Sequence, residues 1–324
     1  MEALPPMRRR ALLTLPLLAS PALAQAPWPN RPIRAVIPYT PGGATDAMSR
    51  LAAQKLSERL GVPVVPENRA GGSGTVGGVA VAQAAPDGHT ILLTASVHVM
   101  GRQVLKSVPY DPAADFTPIA RTGQGPLLLV TNPGRPEASI QAVAEAARRS
   151  PGAWSFGVSA LGAAGHLASI EFNRLAGLDI PMVPYRGSAP ALADIAAGNV
   201  QLMLDPILAT LPLTRGGQVR ALAITRAARS PIAPEIPTAA EAGMPGLEFF
   251  SWYGVWGPKG VPTEVVARMN AALREGMAEP SVVQRLTELG FEPVQESPAE
   301  FAAYIETDLR RNTALLRAAN FQPE

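Results

Sequence analysis

The chain has no cysteine, only three histidines and few aromatic residues, and its Lys plus Arg (28) nearly balance its Asp plus Glu (26). Without cysteine, disulfides, thiolate nucleophiles and cysteine metal sites are excluded. Without excess basic charge or aromatic platforms, nucleic acid is not an expected partner. The signatures H-E-x-x-H, G-x-S-x-G and G-x-x-x-x-G-K-[ST] are all missing, which removes the commonest metalloprotease, hydrolase and NTPase readings. His89, His98 and His166 stand singly and read as strand-end, loop or helix-start residues rather than a catalytic or metal set. No cofactor is expected, and no metal site.

What is present begins with Arg8-Arg9-Arg10, the apolar run Ala11 to Ala19, and a small-residue pattern ending Ala22-Leu23-Ala24. This is the layout of a secretory signal peptide over residues 1–24. The apolar run is far shorter than the roughly 20 residues a membrane span needs. Export places the mature chain in the periplasm, with the general or the twin-arginine route both open. The three arginines belong to the leader, so the excess of positive charge leaves with it. About 300 residues remain, more than one core comfortably serves, and two domains are expected.

From Ile33 onward short β-rich runs alternate with helical patterns, the mark of an α/β fold with largely parallel strands. IRAVIPY, VPVVPEN and HTILLTAS read as strands, and ATDAMSRLAAQKLSERLG between the first two as a helix stopped by Gly61. A second series runs from PLLLVTN through WSFGVS, PMVPY, QLMLD and VRALAIT. It ends in a proline-rich passage holding Pro231, Pro234, Pro237 and Pro245. Two lobes follow from this pattern: residues 27–125 with 251–324, and residues 126–250, the helical tail packing back on the first.

Gly72-Ser73-Gly74-Thr75-Val76-Gly77 matches G-x-G-x-x-G, but Asp87 comes too soon for the ribose-binding acid of a dinucleotide fold. Close helix-to-sheet packing through glycine is the simpler reading. A more informative pair is IPYTPGGA and its partial echo VPYRGSAP, each a strand ending in Pro-Tyr, then a glycine turn, then a helix. Small residues at Gly42, Gly43 and Ala44, and at Gly187, Ser188 and Ala189, leave backbone N–H groups open to a ligand. Helix N-termini bind anions without needing lysine, although both turns could equally be plain connections. Asp46 argues slightly against an anion, and is expected to cap its own helix or meet a ligand amine. Arg186 is the natural counter-ion candidate; Tyr39 and Tyr185 either wall the cleft or pack beneath it.

PYTPGGATD, ENRAGGSGTVGG, APDGHTILL, VSALGAAGHLASIEF, VPYRGSAPALADIAAGNVQLMLD, PTAAEAGMPG and SWYGVWGPKGVP occur in that order. Together they resemble the Bug family of extracytoplasmic substrate-binding proteins, which serve tripartite tricarboxylate transporters. The resemblance runs from about Trp28 to the C-terminus. It implies a two-lobed periplasmic-binding-protein fold of type II, a flytrap with the cleft between lobes, that binds without chemistry. The expected ligand is a small carboxylate held by backbone amides and ordered waters. The ligand residues implied are Tyr39, Pro41, Gly42, Gly43, Ala44, Thr45 and Asp46 in the first loop. Tyr185, Arg186, Gly187, Ser188 and Ala189 form the second, with Ser159, Gly162 and His166 at the cleft border and Asp205 after QLML. Many members carry phenylalanine where Tyr39 stands, so its hydroxyl bears on ligand choice. The implied partners are membrane permease subunits, or alternatively a sensor kinase, and the protein is expected to act as a monomer.

Overall fold

The computed structural model describes residues 28–323 together with Met1, so the rest of the leader lies outside the described residues. The first half holds β1 (Ile33–Ile37), α1 (Ala44–Leu60), β2 (Val64–Asn68), α2 (Thr75–Ala82), β3 (Thr90–Ala95) and α3 (Val97–Val104). Ile33, Ala35, Val36 and Ile37 of β1 are fully buried, leaving Arg34 alone partly exposed, as suits a central strand. It pairs in parallel with β2 on one side and β3 on the other. Along α1, Ala44, Met48, Ala52, Leu56 and Leu60 recur every fourth residue and are all buried, and Gly61 ends the helix with φ of 72°.

The long strand β4 (Phe116–Thr131) then carries the chain across the molecule. Beyond it lie α4 (Ile140–Arg149), β5 (Phe156–Val158), α5 (Ala164–Ala176), β6 (Met182–Pro184), α6 (Ser188–Ala197), β7 (Leu202–Pro206), α7 (Ile207–Arg215) and β8 (Arg220–Ile224). The chain returns along β9 (Phe250–Pro258) and closes with α8 (Thr263–Met277), α9 (Pro280–Glu288), β10 (Glu292–Pro293) and α10 (Pro298–Ala318).

Among the described strands, the parallel ladders run through β2-β1-β3 and through β6-β5-β7. The middle of the sheet is antiparallel, which corrects the expectation of a largely parallel fold. β9 lies between β3 and β4, antiparallel to both. β4 changes partners along its length: Phe116 to Pro126 pair with β9, and Leu127 to Thr131 with β7 and β8. The first part of β4, FTPIARTGQG, contains Pro118, Gly123 and Gly125, residues that argue against a strand. Its register with β9 shifts beside Pro118 and beside Gly123, so the strand accommodates them at irregularities.

The helical tail does more than cover the first half. Its N-terminus is fixed by a capping box between Ser297 and Glu300. Phe301 packs on Trp252 and Trp256 of β9, and at the far end Phe321 meets His166 of α5 edge-on at 5.4 Å. The tail therefore touches both halves. The glycine-rich G-x-G-x-x-G run lies against the β1–α1 loop: a Cβ on Gly74 would stand 2.6 Å from the Tyr39 hydroxyl, and one on Gly77 2.7 Å from Pro38 Cβ. Close packing accounts for these glycines.

Candidate ligand-binding cleft

The turn after β1 and the turn after β6 meet face to face. Thr40 donates its backbone N–H to the Arg186 carbonyl at 3.1 Å, and its hydroxyl donates to the same oxygen at 3.2 Å. Cβ atoms on Gly42 and Gly43 would stand 3.6 Å from Ala189 Cβ and 3.3 Å from Ser188 Cβ. Only glycine allows this approach at Gly187, whose φ of 143° and closeness to Thr40 leave no room for a side chain. A second bridge joins the halves where Leu161 donates its N–H to Ser73 Oγ at 3.2 Å. The cleft is thus closed over a cavity with a water-accessible volume of about 30 Å³.

Four helices begin at this cavity. Gly43 before α1, Ala163 before α5, Gly187 before α6 and Pro206 before α7 all line it, and none of the four N-termini has a side-chain cap. The helix starts therefore present unpaired N–H donors and partial positive charge inward. No lysine, arginine or histidine is among the lining residues. Hydroxyls add to the donors: Thr40, Thr45, Ser159, Ser188, Ser251 and Tyr253 border the same space.

The residues expected from the sequence divide into two groups. Tyr39, Gly43, Thr45, Asp46, Ser159, Gly187 and Ser188 line the cavity. Pro41, Gly42, Ala44, Gly162, His166, Tyr185, Arg186, Ala189 and Asp205 are not on its wall. The Gly42 N–H, expected to be open, donates instead to Asp46 Oδ2 at 3.1 Å. Asp46 also accepts from Arg50 Nε at 3.0 Å and Asn68 Nδ2 at 2.9 Å. Burial alone would push its carboxyl up, but the bonds from Arg50, Asn68 and Gly42 outweigh it and hold Asp46 below the usual carboxylate range. Its negative charge is spent on its own helix start.

Tyr39 is buried, and its hydroxyl donates to the Ser73 carbonyl at 3.2 Å, anchoring the glycine run. Tyr185 donates to Asp194 Oδ2 at 2.6 Å and packs beneath its loop; burial and the Asp194 carboxylate push its hydroxyl up to about 12. Arg186 contributes its carbonyl, while its side chain is exposed. Gly162 donates its N–H to His166 Nδ1 at 3.0 Å, and burial pushes that imidazole down to about 4, so His166 is a neutral structural acceptor. His98 lies in an aromatic cage of Tyr110, Phe116 and Trp256, and burial pushes it down to about 3. Among the described residues no cluster suited to a metal ion occurs.

Thr40 falls within the first loop expected from Tyr39 to Asp46, whereas Ser73, Ser251 and Tyr253 carry no signal of their own in the sequence. Ser251 and Tyr253 lie two apart on β9 and so share a face, a signal readable only once SWYGVWGP is known to be a strand. Ser73 holds φ of 50°, unusual for a residue with a side chain, and its hydroxyl bonds the glycine run to the other half.

An α/β chain crossing twice between the two ends of its sheet, along β4 and β9, with its cavity between them, has the architecture of a periplasmic-binding-protein fold. Residues 48–321 match the family model described as the tripartite tricarboxylate transporter family receptor. BugT of Bordetella pertussis is 36% identical over 302 residues, covering 93% of this chain and 92% of that protein. A structure of R. palustris Rpa4515 with adipate superposes with a TM-score of 0.88 at 38% identity, covering 92% of this chain and 100% of that one. MatC (Rpa3494) from Rhodopseudomonas palustris with bound malate gives 0.85 at 32% identity, covering 89% and 100%. The chain belongs to the tripartite tricarboxylate transporter receptor family, and within it to the Bug-type binding proteins, which are receptors rather than enzymes.

Proposed function

We propose that this protein is a periplasmic receptor that closes its cleft on a small carboxylate and presents the closed form to a tripartite tricarboxylate-type permease. The observation that carries the reading is the convergence of four uncapped helix N-termini on one cavity without a cationic side chain. Relatives of the same fold hold adipate and malate, both dicarboxylates. One helix terminus contributes roughly 0.3–1 kcal/mol to an anion, well short of the roughly 8 kcal/mol of micromolar affinity. Several hydrogen bonds to a charged ligand, roughly 1.5–3 kcal/mol each, supply the remainder. The donors nearest to hand are the N–H groups at the starts of α1, α5 and α6, with the hydroxyls of Thr45 and Ser188.

The lobes we assign are residues 27–125 with 251–324, and residues 126–250. Their junction lies where β4 exchanges β9 for β7, between Pro126 and Leu127. A volume of about 30 Å³ suits a water or two, not a dicarboxylate. Ligand entry then requires the lobes to part, breaking the Thr40–Arg186 and Ser73–Leu161 bonds, and closure on the ligand brings the same two loops back together over a wider space.

A thermal-shift screen of the chain from Gln25 onward, refolded once to strip carried-over ligand, tests the reading. Mono-, di- and tricarboxylates are the panel. A ligand at a hundred times its dissociation constant adds about 2.7 kcal/mol, a readily visible rise in melting temperature. A rise confined to one class of acid is the expected result; no rise with any acid in a folded sample would overturn carboxylate capture.

A further inference from the structure

Behind the cavity wall lies a carboxyl group that the binding scheme above does not use. Asp205, near the end of β7, is fully buried, and neither of its oxygens has a hydrogen-bond partner. The hydroxyls of Ser159 and Ser188 stand beside it without completing a hydrogen bond, and the Tyr253 hydroxyl is close enough for the Asp205 charge to oppose its ionisation. All three of those hydroxyls line the cavity, so Asp205 is one layer away from whatever the cavity holds.

The elements around Asp205 offer it no cation. β4 places Leu128 opposite it. The turn after β5 contributes Ser159 and α6 contributes Ser188. On α5, a Cβ at Gly165 would stand 1.9 Å from the Leu204 carbonyl, so that helix packs directly on β7. Its titratable residue there, His166, is kept neutral by burial. α7 opens with Ile207-Leu208-Ala209 and has no charged side chain before Arg215 at its far end. β9 supplies Ser251 and Tyr253. Across the cavity stands Asp46, ionised and paired with Arg50.

We propose that Asp205 is a positioning residue that links ligand affinity to protons: it takes up a proton when the cleft closes on a carboxylate. This rests on the carboxylate reading above. An ionised Asp205 draws the Ser159 and Ser188 hydroxyls toward itself, turning their protons away from the ligand. A protonated Asp205 releases them to donate into the cavity. A second carboxylate one layer from Asp205, with no cation beside Asp205 to offset it, disfavours the Asp205 charge, so arrival of the ligand anion favours the protonated form. Burial already pushes Asp205 up to about 7, the range in which such a switch responds near neutral pH. The coupling is reciprocal: if binding favours the proton, the proton favours binding.

Isothermal titration of the mature chain with adipate and with malate, in two buffers of different ionisation enthalpy, counts the protons taken up. Both acids are fully ionised above neutral pH, so protons taken up there belong to the protein. Between about pH 7 and about pH 8 we expect uptake approaching one proton per ligand and affinity weakening by up to about tenfold. Asp205→Asn keeps the size of the side chain and cannot ionise; it should bind with no proton uptake and with affinity flat across that range. Wild-type binding with no proton uptake and no pH dependence overturns this inference and leaves the carboxylate receptor standing. An Asp205→Asn variant that binds and still takes up the proton overturns it as well. No binding of any acid in the screening panel removes the carboxylate reading and this inference with it. If Asp205→Asn fails to fold, the wild-type proton count still decides.

Discussion

Gly43 is where a single methyl group separates closure of the cleft from folding of its loop. Its backbone, at φ −87° and ψ 173°, is one that alanine adopts without strain, so α1 should start in Gly43→Ala as it does in the native chain. The added Cβ would stand 3.3 Å from Ser188 Cβ and 3.4 Å from its backbone nitrogen, both in the other half. Carbon atoms pack best at roughly 3.5–4.0 Å, so the two loops must yield by a few tenths of an ångström. Overpacking of this kind costs about 1–3 kcal/mol, and the modest overlap points to the lower end. About 1 kcal/mol raises the dissociation constant about fivefold; a rigid junction would bring it above a hundredfold. Calorimetric titration with the best acid from the screen, beside a thermal melt of the unliganded protein, separates the two contributions. We expect weaker binding with at most a small change in melting temperature. Unchanged affinity would refute the assignment of this contact to the liganded, closed form, and a large drop in melting temperature would place the damage in folding instead.

Gly165→Ala should act on stability, because its Cβ would fall 1.9 Å from the Leu204 carbonyl and α5 would have to leave β7. We expect a loss of about 3 kcal/mol, read as a melting temperature lower by about 6–12 °C. Arg186→Ala removes an exposed side chain but keeps the carbonyl that Thr40 uses, so affinity should change by less than about threefold, with any loss shrinking in high salt. A larger, salt-insensitive loss would show that the guanidinium touches the ligand directly. His98 and His166, pushed down to about 3 and about 4, leave the unfolded chain holding two more protons than the native one once pH falls below about 6.5. Asp205, pushed up to about 7, works the other way and lets the native chain hold one more. The net is one proton, so stability should fall by about 1.4 kcal/mol per pH unit between about pH 6.5 and about pH 4.5. Thermal melts across that window check this: a flat profile would mean that only one of the two imidazoles stays uncharged in the native state, and stability rising toward acid would show that both are charged.

Local chemistry made a good part of the molecule legible before any coordinates. The apolar stripe of α1 and its Gly61 stop, the runs that became β1, β3 and β7, and the glycine turns before α1 and α6 all depend on residues within a few positions of one another. Such features survive in a one-dimensional reading because periodicity and turn chemistry are short-ranged. The family resemblance was legible for a related reason: its motifs are the turns themselves, spread in fixed order along the chain.

Two features were hidden because they are set by distant partners. Pro118, Gly123 and Gly125 disguise the first part of β4, which becomes a strand only because β9, more than a hundred residues later, pairs with it through register shifts. The direction of that pairing, and with it the antiparallel middle of the sheet, cannot be read from either segment alone.

The cleft shows the same division. The sequence by itself determined that two glycine turns would open two helices, and that no lysine would sit in the first. Tertiary structure alone decided that the turns face each other across Thr40 and Arg186, that Asp46 consumes the Gly42 N–H, and that α5 and α7 point their starts at the same space. It also decided that Asp205 lies behind the wall without a cation. Hydrogen-bond partners and burial depend on which distant segments arrive together, and the chain meets those only when it folds.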